Sequence, residues 1–207
     1  MRHSWKKIVA LTALVAAFAV ATDSFAQIHR PGMPVGPSMG GPASASAGIR
    51  LRGEPKVVKE RTPVFKTSTS QQSSNASDWW HGVVEFETAA EWTDEIEFDW
   101  YVYVESSKQG NQMFRCITVY VNIPKGKHNA DVFLNPNTLA RYGIPKYTAV
   151  VVKVNGAVVD SKSTANTPNW WNNFSPVDGV LLNRSMTPFA VLDYDDYPCI
   201  KPAVTAR

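Results

Sequence analysis

In "DEIEFDWYVYVE" every second residue is apolar. Ile96, Phe98, Trp100, Val102 and Val104 fall on one side, and Glu95, Glu97, Asp99, Tyr101, Tyr103 and Glu105 on the other. Period two sends alternate side chains to opposite faces of an extended chain, so this stretch predicts a half-buried antiparallel strand. "MFRCITVYVNI" repeats the rhythm, with Ile117, Val119, Val121 and Ile123 on one face and Phe114, Cys116, Thr118 and Tyr120 on the other. Both of its faces are fairly apolar, which predicts a central strand, and Gly110-Asn111 marks the turn between the two. "ADVFLNP" predicts a shorter strand stopped by Pro136. "NPNTLARYG" predicts a helical turn capped by Asn137 or Thr138 and closed by Gly143.

"YTAVVVKVNGAVVDSKS" holds the strongest local signal. Asn155-Gly156 between β-branched runs is a preferred two-residue hairpin turn, because both residues accept the positive φ of type I′. Pairing outward sets Val154 against Ala157, Lys153 against Val158 and Val152 against Val159. "PFAVLDYD" predicts a last strand before Cys199. Together these elements predict that residues 78–207 form an all-β, immunoglobulin-like sandwich of about six to eight antiparallel strands with one short helix. A jelly roll and a small barrel share the same local signals. The Cys-Trp-Cys core of immunoglobulin domains is not matched, since Trp100 precedes Cys116.

Upstream the rhythm vanishes. Residues 27–77 are rich in Pro, Gly and Ser, as in "RPGMPVGPSMGGPASASAG" and "STSQQSSNAS", and hold too little apolar surface to offset chain entropy. They predict a disordered arm, with one strand near residues 55–66 in "EPKVVKERTPVFKT" that pairs with the domain's own edge or adds to another molecule. Residues 1–26 read as a signal peptide. Arg2, Lys6 and Lys7 precede an apolar run of 14 residues, Ile8 to Ala21, and Ser24-Phe25-Ala26 fits the cleavage site. A membrane-spanning helix needs about 20 such residues, so no stable insertion is expected. The mature protein is expected outside the cytoplasm, in the periplasm, on the outer surface or extracellular.

Charge divides along the same boundary. Residues 27–77 carry seven Lys/Arg against two Glu, net +5, whereas residues 78–207 carry eleven Lys/Arg against fifteen Asp/Glu, net −4. An acidic body with scattered lysines excludes nucleic acid as a partner. Cys116 and Cys199, 83 positions apart in an exported chain, are expected to form a disulfide that stabilises by up to about 4 kcal/mol.

Catalytic signatures are missing. No H-E-x-x-H, G-x-S-x-G or Gly-rich phosphate loop is present. His128 and Asp131 fit one turn but lack a third metal ligand, and Asp193, Asp195 and Asp196 lack the wrapping loop that calcium uses. No cofactor and no metal are expected. Glu85, Glu87, Glu95 and Glu97 form the pool from which a carboxylate-dependent hydrolase would draw.

The tryptophans are the remaining candidates. Trp79-Trp80 and Trp170-Trp171, the latter followed by Asn172, present large rings beside amides and acids. Such rings suit core packing, contact with a partner protein, or stacking on a glycan. Neighbours in extended chain point opposite ways, so one ring of each pair is expected in the core and the other free.

The ordered run "VFLNPNTLARYGIPKYTAVVVKVNGAVVDSK", followed by the paired tryptophans, resembles the small secreted immunoglobulin-like proteins associated with type IV pilus gene clusters in Verrucomicrobia. The similarity covers residues from about Val84 to Leu192. It implies an immunoglobulin-like fold and an extracytoplasmic, pilus-associated or surface-interaction role. Unlike true pilins, the chain keeps no long apolar N-terminal helix after processing, and the resemblance assigns no functional residue. The expectation is a non-enzymatic, exported sandwich acting by contact with an envelope or surface protein, self-association included. A carbohydrate-binding module using exposed tryptophans and a carboxylate-dependent hydrolase are the alternatives.

Overall fold

A computed structural model describes residues 48–64, 76–106 and 109–202. The signal peptide and most of the arm read from the sequence lie outside them. Nine strands form one sheet with the central order β6-β5-β3-β4-β7. The strands are β1 (Ile49–Leu51), β2 (Lys56–Arg61), β3 (Asp78–Val104), β4 (Gln112–Leu134), β5 (Pro145–Val154), β6 (Ala157–Ser163), β7 (Pro176–Asp178), β8 (Leu182–Asn183) and β9 (Cys199–Ile200). The fold is all-β and sandwich-like. All pairings are antiparallel except that of β7 with β4.

Two very long strands, β3 and β4, build both layers. They pair along almost their whole length, from Trp80 with Leu134 to Val104 with Gln112. The register shifts between Thr88 and Trp92, and across from that shift Asn122 and Gly126 take positive φ of 54° and 139°. Such irregularities bend a strand and increase its twist. The first half of β3 consequently folds over the second, and Phe86 meets Phe98 at 4.9 Å between ring centroids. Tyr120 stands edge-on to Phe98 at 5.4 Å.

The alternation in β3 is borne out on its apolar side, where Ile96, Phe98, Trp100, Val102 and Val104 are all fully buried. Its polar side is not simply solvated, because Asp99 and Tyr103 are buried as well. In β4 the faces divide against chemical expectation. Phe114, Thr118 and Tyr120 face the core, whereas Ile117 is 45% exposed. Asn122, in the left-handed region, reverses the alternation, which returns Ile123 to the core.

Three local expectations need correction. The helix α1 spans Pro136–Tyr142, and its cap is Asn135, whose side chain accepts from the Thr138 N–H, with Pro136 in the first turn. The Asn155-Gly156 hairpin has the expected positive φ at both residues, and Val154 and Lys153 meet Ala157 and Val158. Val152, however, pairs with Asp160, because a bulge sets Val159 aside. This register presents the Asp160 carboxylate to the backbone N–H of Leu51 at 2.8 Å, tying β6 to β1. Finally, "PFAVLDYD" is not a strand. Its Phe189 and Leu192 carbonyls accept from Arg184, and the Phe189 N–H donates to Thr187 Oγ1, so no ladder can use these groups.

The strand anticipated near residues 55–66 is β2, which pairs with β3 of its own domain from Lys56 opposite Val83 to Arg61 opposite Asp78. The folded body thus extends upstream of residue 78.

Candidate binding surfaces

Two irregular segments pack on the sheet, and of the candidate tryptophans Trp170 and Trp171 lie within the first, whereas Trp79 packs against Phe189 of the second. Residues 165–174 close one face. Asn169 takes a left-handed turn (φ 52°) into a 3-10 turn, Trp170–Asn173. Three residues per turn set successive side chains about 120° apart instead of opposite, so both indoles reach the sheet. Trp170 and Trp171 are both buried, which corrects the expectation that one of them is free. Trp171 stacks on Tyr101 at 5.8 Å, and the Trp170 N–H donates to Ser163 Oγ at 2.8 Å. Asn172 is exposed at the edge of this segment.

Trp170 forms the floor of a cleft of about 540 Å³, the largest of those described. Tyr103 stands edge-on to it at 6.0 Å, Tyr147 lies at 6.2 Å, and Phe174, 40% exposed, closes one side at 6.3 Å. None of Tyr103, Tyr147 and Phe174 was singled out by sequence reasoning. The alternation assigns Tyr103 to the polar face of its strand, and Phe174 lies in a stretch with no strand or helix rhythm.

Below Trp171 lies an ionic cluster centred on Asp99. Arg115 donates twice to its carboxylate at 2.7 Å, Tyr101 donates through its hydroxyl at 2.8 Å, and Lys153 Nζ lies at 3.2 Å. Burial raises the Asp99 pKa, but the bonds from Arg115 and Tyr101 together with Lys153 outweigh it, leaving it below the ordinary value. Burial and the Asp99 charge push the Tyr101 phenol up to about 12.

The second covering segment, residues 184–197, is held by a buried charge network. Asp131 is fully buried, and Arg184 reaches it through Nε at 2.8 Å and Nη2 at 2.7 Å. His81 Nε2 lies 3.1 Å from the same carboxylate, and Glu60 of β2 lies 3.2 Å from His81 Nδ1. Burial opposes the Arg184 charge and Asp131 more than compensates, so its pKa is raised. The guanidinium also covers the Tyr197 ring at 3.6 Å. His81, Phe133 and Phe189 stack in series at 4.2 and 5.0 Å. The sequence does carry a trace of this network, a lone Asp131 inside "ADVFL", whose five residues are all buried.

This arrangement relocates several candidates. His128 turns away from Asp131 and bonds to the Pro124 carbonyl at 2.7 Å. Trp80 is buried, with its indole over Gly82. Trp79 is half-buried, edge-on to Phe189 at 5.5 Å, with its N–H donating to Thr62. Neither offers a free ring. Glu85 and Glu87 pair with Arg52, Glu95 with Lys201 and Glu97 with Lys153, so each is engaged by a cation. Asp193, Asp195 and Asp196 are exposed.

The expected disulfide is absent: Cys116 and Cys199 are free thiols. Cys199 pairs with Val121, five residues along β4 from Cys116. At 3.3 Å per residue the two Cα atoms are about 16 Å apart along the strand, beyond the roughly 7 Å limit for a bridge.

β2 is one of the most exposed elements. Lys56, Val57, Val58 and Lys59 are exposed in succession, and Val57 and Val58 are 52% and 46% exposed. Among the described residues, no strand pairs with the outer edge of β2.

Comparison with known proteins places this arrangement. No curated protein matches the chain. A solved structure of a protein from Akkermansia muciniphila matches with a TM-score of 0.67 and 25% identity, covering 74% of this chain and 93% of that one. A family model matches residues 44–203. With well over half of its length matched, the chain belongs to that family, and it shares its fold with a structurally characterised protein of Akkermansia muciniphila.

Proposed function

We propose that the protein is an exported, non-enzymatic β-sandwich that acts by protein–protein contact in the cell envelope or in a surface, pilus-associated assembly. The observation that carries this reading is the open edge of β2, with Val57 and Val58 exposed on opposite faces. An unpaired edge offers a row of backbone donors and acceptors to an incoming strand, and apolar side chains on both faces add contact area. Export is supported by the signal peptide read in residues 1–26. The surface setting is supported by the resemblance to proteins of pilus gene clusters. The carboxylates from which a hydrolase would draw, Glu85, Glu87, Glu95 and Glu97, are instead each engaged in an ion pair with Arg52, Lys201 or Lys153.

The test is a double substitution, Val57→Asp with Val58→Asp, in the full chain expressed in its own envelope. Both side chains are exposed, so the variant is expected to fold. It is expected to lose the partner that co-purifies with the parent protein. Retention of that partner at parental yield would remove the β2 edge from the account.

A further inference from the structure

The cleft floored by Trp170 has a composition that the β2 edge does not explain. Its apolar part is made of the four rings of Tyr103, Tyr147, Trp170 and Phe174. Its remaining lining is largely polar, chiefly Asn166, Thr167 and Asn173, all exposed, with one acid at the rim. Among the described residues these three side chains make no hydrogen bond, so their amide and hydroxyl groups are available to a ligand. The one acid at the rim, Glu105, is taken by Lys146 at 2.6 Å, and Lys146 also lies over the Tyr147 ring at 5.3 Å. The cleft is therefore close to neutral. A charged ligand finds no unpaired counter-charge there, and a purely apolar one would strip water from three amide and hydroxyl groups without replacing their bonds.

A pyranose ring meets both requirements. Its C–H face packs on an aromatic ring while its hydroxyls donate to and accept from amides, the pairing of apolar body and placed polar groups that ligand sites use. The volume of about 540 Å³ lies in the range of roughly 300–1,000 Å³ typical of small-ligand sites. We propose that this cleft binds a neutral saccharide, with Phe174 and Tyr147 as the stacking walls and Asn166, Thr167 and Asn173 as the hydroxyl-reading groups. The site differs from the exposed-tryptophan platform expected from the sequence. Its one tryptophan is a buried floor, and its accessible rings are those of Phe174 and Tyr147.

The proposal is independent of the β2 edge, and its test leaves that edge intact. The mature chain is titrated with defined neutral oligosaccharides, namely cellotriose, maltotriose, galactobiose and diacetylchitobiose, and followed by saturation-transfer NMR and tryptophan fluorescence. At least one is expected to bind saturably. Phe174→Ala and Asn173→Ala are each expected to weaken it tenfold or more with an unchanged circular dichroism spectrum, and Trp92→Ala, 64% exposed and outside the cleft, to leave it unaltered. Absence of saturable binding across the panel overturns the proposal. So does binding that survives both cleft substitutions, or a cleft occupied instead by a peptide that the sugars fail to displace.

Discussion

Asp131 and Arg184, 53 residues apart in the chain, share a buried bond of 2.7 Å between carboxylate and guanidinium. Asp131 belongs to the centre of a long strand. Arg184 opens the segment that covers it, and the same guanidinium bonds the Phe189 and Leu192 carbonyls. One side chain thus holds the C-terminal cover both by charge and by backbone contact. Arg184→Met leaves the Asp131 charge buried without its main partner, and it is expected to destabilise by about 3–5 kcal/mol in urea unfolding. Arg184→Lys is expected to rescue little, because an ammonium cannot reproduce the fork. A loss below about 1 kcal/mol, the range of exposed ion pairs, would contradict the burial of this pair.

The Asp99 cluster sets an acid limit. Its folded pKa lies below the unfolded value of about 3.9, so its contribution is complete above that value and fades as pH falls through the folded one. Asp99→Asn is expected to lower stability at neutral pH, and the gap from the parent should close as pH falls below about 4. The same variant should let the Tyr101 phenol titrate below its value of about 12, visible in phenolate absorbance. A gap independent of pH would contradict the assignment.

The thiols should behave separately. Cys199 is exposed, whereas burial pushes the Cys116 thiol up to about 11. Maleimide labelling of the native protein is expected to modify Cys199 quickly and Cys116 only on unfolding. Intact mass without reductant should show both hydrogens. A mass lower by two hydrogens would restore the bridge and require β9 to leave β4.

Gly82 is a site of close approach. A Cβ there would come within 2.6 Å of the Trp80 indole, which lies across it on the same face of β3. Gly82→Ala is expected to cost about 1–3 kcal/mol by forcing the buried ring to move. Gly53, where an added Cβ meets nothing, serves as the control for loss of glycine freedom. Equal thermal shifts in the two variants would show that the contact has no weight.

The strands were legible because burial on one face imposes period two, as in Ile96 to Val104, and because Asn-Gly has few other uses between β-branched runs. What escaped the sequence depends on contacts between distant residues. Asp99 and Tyr103 look solvated until residues 165–174 are laid over them, and Trp171 appears free only if the chain there is extended. Asp131 looked like a loop acid beside His128 because its partners, His81 and Arg184, are 50 and 53 positions away. The long β3–β4 pair was read as separate strands because the bend near Trp92 and Asn122 interrupts the alternation without ending the ladder. The cleft depends on distant contacts too, since its walls come from β3, β5 and residues 164–174.

The central claim is that β2 presents a free edge to another protein. A photo-crosslinking residue at position 58, compared with one at position 158 on the exposed Val158 of β6, tests it in the intact envelope. The account predicts one discrete adduct from position 58 and none of that mass from position 158. No adduct from 58, or the same adduct from both positions, would contradict it.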